Sequence, residues 1–217
     1  MLTNLFSSFD PMTSNTLSLN WISMFMPVLF LSNLMFNKSN RWSMMENSIT
    51  SMINKEFKSI KLNKQAMTIS ISIFFLIFVL NLMSLFPYNF TPTSHLSVTL
   101  ALALPIWSMI IIYMILNSTK KFFSHMLPLG TPLMLMPFMI LIETIGMIIR
   151  PISLSVRLMA NLTAGHLIMT LLGNNLSLKM MPLILMIQFT LMLFESAISI
   201  IQAYVFSTIS MLYSSET

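Results

Sequence analysis

The sequence predicts an all-α integral membrane protein with one N-terminal span, a surface amphipathic helix, a transmembrane hairpin and two long, steeply tilted membrane helices. Two observations carry this prediction. Only 8% of the 217 residues are charged and 56% are hydrophobic, whereas about 25% of a soluble domain is charged. Uncharged apolar stretches of bilayer-spanning length also recur, and within lipid such stretches must be helices. The whole chain, 1–217, is expected to form a single membrane domain.

Three uncharged stretches predict the first span and the hairpin: residues 19–36, 67–86 and 96–116. Lysines cluster before the second stretch and after the third, so both clusters lie on one side if these two spans form a hairpin. The positive-inside tendency makes that side the matrix or cytosol and places the N-terminus outside. The connecting FPYNFTPTSHLS is expected to be an external turn with His95 facing solvent.

Residues 44–62 predict a helix that lies on the inner membrane surface. The apolar residues of this stretch share one helical face, and three lysines lie away from that face. A solvated basic loop is the alternative interpretation. The apolar face consists of Met45, Ile49, Met52, Ile53, Phe57 and Ile60, and the lysines are Lys55, Lys58 and Lys61.

The last third of the chain predicts two long helices, 132–172 and 180–213, joined by the turn-forming stretch LLGNNLSLK. The first helix contains Arg150 and Pro151 without loop residues beside them, so we expect one element that is kinked at the proline. The two helices would measure roughly 60 and 50 Å, against a hydrocarbon core of about 30 Å. They are therefore expected to be steeply tilted and to lie across another structure.

Ionisable residues within these helices are the candidates for function, because intramembrane charges usually mark ion paths, proton relays or buried pairs. Glu143, Arg150 and Arg157 are spaced by seven residues and fall within about 40° of one helical face. Glu143 is a candidate for a wet region, and Arg150, beside the proline, is expected to be structural. Asn161 extends the face, and small residues on or beside it permit close approach by another helix. These small residues are Ala160, Ala164 and Gly165.

Arg157 has no local acid. The residues three and four positions away are Ser153, Leu154, Ala160 and Asn161. A guanidinium does not release its proton in proteins, so Arg157 can hold or repel charge but cannot relay protons. Two interpretations stay open: either the carboxylate that faces it belongs to another chain, or an internal salt bridge to Glu195 or Glu143 serves stability alone.

His166 lies about 180° around the helix from Arg157 and about 13 Å further along it, so it points away from the arginine face. It is either a proton carrier or a histidine that donates to a backbone carbonyl. On the last helix Gln188, Glu195 and Gln202 form a second stripe at seven-residue spacing. That stripe indicates either the lining of a hydrated path or a set of interhelical hydrogen bonds.

The sequence has no cysteine, no glycine-rich phosphate loop, no metal-ligand cluster and no nucleophile–base arrangement. We therefore expect no cofactor, no metal and no enzymatic activity of the chain by itself. The formal net charge of +5 comes from charges that flank the apolar spans, so membrane orientation explains it better than nucleic acid does.

Two stretches, SVRLMANLTAGHL and FESAISIIQAYVFSTISMLY, together resemble the subunit a family of mitochondrial F-type ATP synthases. The order of elements is similar over essentially the full length. The resemblance implies a stator subunit of the mitochondrial inner membrane that forms two offset aqueous half-channels against a rotating ring of c subunits, so that proton flow drives ATP synthesis. It implies as partners the c-ring, other Fo stator subunits, the lipid bilayer, protons and water, with no nucleotide and no nucleic acid. The 24 methionines and the absence of a basic presequence fit an organelle-encoded protein.

The same resemblance implies roles for single residues. Arg157 would face the essential carboxylate of each passing c subunit and separate the two half-channels. The other matches are Glu195 and His166 to the external half-channel pair, Asn161 and Gln202 to the polar residues beside the arginine, Glu143 to a matrix-side carboxylate and, loosely, Glu216 to a residue near the external channel mouth.

Two other functions fit the residues alone. A self-contained proton-coupled transporter would need a midplane substrate site and usually two related halves, and the first and last thirds of this chain look unalike. A purely structural membrane anchor would use its intramembrane charges only for pairing.

Overall fold

The computed structural model describes residues 5–14, 17–27, 41–58, 64–86, 89–117, 119, 122, 126–127, 130, 132–174 and 180–215. Five α-helices lie within these residues, and no strand does. Four of the helices are long and apolar enough to span a bilayer, so the prediction of an all-α integral membrane protein is confirmed. The helices are α1 (Arg41–Lys58), α2 (Lys64–Ser84), α3 (Leu96–Asn117), α4 (Met136–Asn174) and α5 (Met181–Ser215).

The two long helices are single elements. α4 has 39 residues and continues through Pro151, and α5 has 35 residues. At about 1.5 Å per residue they measure about 58 and 52 Å, so their steep tilt in a bilayer stays a prediction that their length supports. Of the predicted first span, 19–36, the described part is 19–27, which begins with the 3-10 helix Leu19–Phe25. The rest of that span lies outside the described residues.

Small and hydroxyl-bearing residues are among the most buried positions of the two long helices. Ser155 of α4 and Ala203 and Ser207 of α5 have no exposed surface. Both serine hydroxyls donate to the backbone carbonyl three residues earlier, so they need no partner on another helix. Between apolar helices in lipid, close packing replaces exclusion of water as the stabilising contribution, and small residues permit it. α5 packs on both α2 and α4, and small buried positions of this kind permit close approach.

The basic stretch forms helix α1, and its apolar face is divided. Ile53 and Phe57 are buried in the core beside α2 and α5, whereas Met52 is 69% exposed. The hydroxyl of Tyr204 on α5 donates to the carboxylate of Glu56 at 2.9 Å. Part of the face therefore packs on protein, and the exposed part is available to a lipid surface.

The second part of the turn between α2 and α3 packs against protein and His95 is only partly exposed, so the expectation of a solvent-facing His95 is wrong. Residues 91–94 are buried, and the centroids of the Trp21 and Phe90 rings lie 5.2 and 5.4 Å from that of His95. The Nε2 atom of His95 lies 3.1 Å from the carbonyl oxygen of Phe9. Residues 5–14, which we call the N-terminal segment, cover the turn. A contact across 86 positions of sequence leaves no signal in local composition.

Candidate functional site

Two spaces beside α4 and α5 contain most of the predicted site residues. The larger, which we call the N-terminal cavity, has a volume of 930 Å³ and is lined by the N-terminal segment, the α2–α3 turn, α4 and α5. The smaller, the arginine groove, has a volume of 180 Å³ and lies between α4 and α5. The polar lining of the cavity includes Asp10, Asn20, Asn89, His166, Gln188 and Glu195, and that of the groove is Arg157, Asn161 and Gln202.

Glu195 lies directly against Gly165 of α4. A Cβ atom added at Gly165 would stand 2.6 Å from Cδ of Glu195, a distance that real Cβ atoms essentially never show, and 3.1 Å from its Cγ. Gly165 is buried, and Glu195 is partly exposed toward the N-terminal cavity. The missing side chain of Gly165 therefore creates the space in which the carboxyl group of Glu195 lies.

His166, the next residue of α4, lines the same cavity as Glu195. Its Nε2 atom is buried and has no hydrogen-bond partner among the described residues. The Phe9 ring meets the imidazole edge to face, with 6.2 Å between the centroids, and the backbone of Ser84 also approaches the ring. Nε2 is thus available to a water in the cavity. The contact with the Ser84 backbone leaves the other interpretation open, in which His166 donates to a backbone carbonyl.

Arg157 lies on the surface of the chain, beside the similarly exposed Ala160, Asn161 and Ala164. It forms no ion pair with any residue that the structure describes. Its backbone carbonyl accepts a long hydrogen bond of 3.5 Å from Nε2 of Gln202, which ties α5 to α4 at the groove. The arginine face of α4 is therefore open to a further chain, and its small residues allow that chain to come close.

The internal salt bridge that the sequence left open for Arg157 is absent within the described part of the chain. Glu143 instead accepts a 3.3 Å hydrogen bond from Arg150, and both side chains are partly exposed. The guanidinium of Arg150 also lies 5.1 Å from the centroid of the Tyr213 ring, and that ring meets Trp107 of α3. A cation this close to an aromatic face is attracted by the ring. These contacts agree with a structural Arg150, which joins α4 to α5.

The polar stripe of α5 connects the two spaces. Gln188 and Glu195 line the N-terminal cavity, and Gln202 lines the arginine groove. Ser199 lies between them on the same helix and is buried, with its hydroxyl donated to the carbonyl of Ser196. The stripe therefore runs from the N-terminal cavity to the groove that Arg157 lines.

Sequence reasoning missed two polar groups of α2. Asn81 has no exposed surface, and neither atom of its side-chain amide has a hydrogen-bond partner in the described chain. Ser84 follows one turn later and approaches His166. Buried amides of this kind usually bind ordered water. The available signal was the position of Asn81 and Ser84 in the otherwise apolar stretch 73–86. Glu216, by contrast, lies outside the described residues.

Residues 16–215 match the family model described as ATP synthase A chain. The chain belongs to the ATP synthase subunit a family. Proteins named ATP synthase subunit a from Drosophila melanogaster, Anopheles quadrimaculatus and Aedes aegypti are 48%, 47% and 46% identical to it, and each comparison covers 100% of this chain and 99% of the relative. The resemblance drawn from the two motif stretches is thereby confirmed.

Membership of the subunit a family makes this chain a component of the proton-channel part of ATP synthase. Its four apolar helices and its animal relatives make it a multi-pass protein of the mitochondrial inner membrane.

Proposed function

We propose that this chain conducts protons through two offset half-channels that meet a ring of c subunits, with Arg157 between them. One observation carries the proposal: Arg157 is exposed beside small residues and has no acidic partner among the described residues. A charge at membrane depth is costly unless a partner or water receives it. A carboxylate on a c subunit that passes the α4–α5 face would be such a partner.

The N-terminal cavity is proposed as the half-channel on the outer side. A volume of 930 Å³ is far above the roughly 10–15 Å³ that one water needs, so a chain of waters can reach Glu195 and His166. Both side chains can gain and lose a proton at fixed positions. Gln202, which cannot, would orient the water that carries the proton from Glu195 to the ring.

Arg157 is proposed to ionise each ring carboxyl and to keep the half-channels apart. An ion pair at about 4 Å is worth about 4 kcal/mol at an effective dielectric constant of about 20, enough to ionise a carboxyl that lipid holds neutral. The carboxylate then takes a proton from the outer side once it moves on. Because guanidinium does not release protons and repels a hydrated proton, it would also prevent direct leakage.

Glu143 is proposed to serve the half-channel on the matrix side. It shares the arginine face of α4 and lies about 21 Å from Arg157 along the helix, in the direction opposite to the N-terminal cavity. Its carboxylate is partly exposed and is held by Arg150. Glu195 lies against Gly165 of α4, and Gly165 is far along that helix from Glu143. This offset would oblige a proton to travel with the ring in order to cross the membrane.

The N-terminus is proposed to lie in the intermembrane space. The N-terminal segment contacts His95 and His166. Both histidines lie near the C-terminal end of α2, whereas α1 precedes its N-terminal end. Lys55 and Lys58 of α1 are exposed, and basic residues favour the inner side of a membrane. The N-terminal cavity would then open to the proton-rich side.

The proposal is tested by the substitution Arg157→Ala in the assembled ATP synthase, purified and reconstituted into vesicles. We expect ATP-driven acidification of the vesicles to fall to background, while electrophoresis shows the full set of subunits. Arg41→Ala is the control, since it removes an exposed arginine side chain from α1 that lines neither space, and it should leave most of the pumping. Normal coupled pumping by the Arg157→Ala complex would overturn the proposal.

A further inference from the structure

The N-terminal segment is fixed at the entrance of its cavity by contacts with three parts of the chain. The ring of Phe9 meets His166 of α4, and the carbonyl of Phe9 lies 3.1 Å from Nε2 of His95 in the α2–α3 turn. The side-chain amide of Asn20 donates to the carbonyl of Asp10 at 3.2 Å. The backbone of residues 9 and 10 is thereby held in place, and Asp10 has a defined position.

Asp10 is the acidic residue that this segment presents to the cavity. Its side chain is exposed and lines the cavity together with His166 and Glu195. One carboxylate oxygen accepts a 3.1 Å hydrogen bond from the backbone N–H of Met12, which limits the rotation of the group. No ion pair neutralises it among the residues that the structure describes.

We propose that Asp10 is the proton-collecting carboxylate at the entrance of the N-terminal cavity. The inference rests on the proposed half-channel. A negative charge at the mouth of a cleft with low-dielectric walls concentrates cations and can raise their arrival rate by about 10–10³. The carboxylate takes a proton from external water and releases it to cavity water beside His166 and Glu195, so Asp10 is unchanged after each transfer.

The ionisable groups around this entrance come from three elements. His166 faces the cavity from α4 and Glu195 faces it from α5, while His95 of the α2–α3 turn contacts the carbonyl of Phe9. Among the described lining residues Asp10 is the exposed acid, whereas Glu195 lies deeper, against Gly165. A proton that arrives from outside therefore meets Asp10 first.

The experiment compares wild type, Asp10→Asn and Asp10→Glu in the reconstituted ATP synthase. The rate of ATP synthesis under an imposed gradient is measured at a series of pH values on the outer side, with the membrane potential held constant. Asn keeps the shape of Asp and can still accept the N–H of Met12, so the segment should retain its position.

We expect Asp10→Asn to lower the rate by at least about threefold at the alkaline end, where proton arrival limits turnover, and to approach the wild-type rate at the acidic end. Asp10→Glu should restore the alkaline rate. The proposal is overturned if Asp10→Asn matches wild type at every pH, or if it lowers the rate equally at all pH values, as a purely structural defect would.

A parallel Glu195→Gln sample separates the two proposals. If Glu195→Gln blocks synthesis and Asp10→Asn changes nothing, only the role of Asp10 fails. If Glu195→Gln also leaves synthesis at the wild-type rate, the half-channel itself is wrong.

Discussion

The N-terminal cavity and the arginine groove differ in how complete they are within one chain. The cavity is lined by four parts of the same polypeptide, and the carboxyl group of Glu195 fits the space above Gly165. The groove has about a fifth of the cavity volume, 180 against 930 Å³, and its charge, Arg157, is exposed without an acid in the described chain.

This difference indicates which part of the chemistry one chain can perform. The proposed access path needs only polar walls and a fixed proton carrier, and under that proposal α4 and α5 with their neighbours supply both. An exchange of charge with Arg157 needs a carboxylate that arrives and leaves, and a carboxylate on the same rigid chain could do neither. The incomplete site is therefore the one expected to meet the moving partner.

The largest effect should come from removing the carboxyl group of Glu195, the proposed proton carrier of the N-terminal cavity. Glu195→Gln keeps the size of the side chain but cannot bind and release protons, so we expect passive proton flux to fall by roughly 10². Glu195→Asp, which keeps the carboxyl group, should retain more flux. The measurement is dye-reported proton uptake into vesicles that contain the reconstituted complex. Wild-type flux in the glutamine variant would mean that the cavity is not the access path.

Labelling of single cysteines should separate the two regions directly, because the chain contains no cysteine of its own. Ala160 beside Arg157 and Ser7 at the cavity are both exposed in this chain. We expect Ala160→Cys to react with a water-soluble maleimide at least about tenfold more slowly in the assembled complex than in the isolated chain, because a packed interface excludes water. Ser7→Cys should react at similar rates in both, and equal protection of the two sites would abolish the distinction.

A smaller effect is expected from the space that Gly165 leaves for Glu195. Gly165→Ala places a Cβ atom 2.6 Å from Cδ of the glutamate, so the flexible carboxyl end must move. We expect flux to fall roughly three- to tenfold, equivalent to less than about 1.4 kcal/mol of barrier, with normal assembly. Gly146→Ala is the matched control, since nothing lies within 4 Å of its added Cβ on the same helix. Equal flux in both variants would show that the position of the carboxyl group is unimportant.

Much of the candidate site could be predicted from helical periodicity. The seven-residue spacing put Gln188, Glu195 and Gln202 on one face of α5. The first two line the N-terminal cavity, and Gln202 lines the arginine groove. The half-turn between Arg157 and His166 likewise places them in different spaces. These relations are predictable because an α-helix fixes the angle between residues of the same element.

Contacts between distant segments could not be predicted in this way. The packing of Phe9 on His166 joins residues that are far apart in the sequence, and the partly buried His95 contacts the same N-terminal segment. Neither leaves a periodic signal in its own stretch, because both depend on how separate elements come together.

The sequence by itself determined that the chain crosses a membrane as helices, that its scarce charges lie on particular helical faces, and that Arg157 has no acid within one turn. Only the tertiary structure decided that Glu143 pairs with Arg150, that Glu195 rests on Gly165 and that the N-terminal segment covers the cavity. The physical reason is that backbone hydrogen bonds within a helix fix its faces locally, whereas the packing of small residues between helices sets which faces meet.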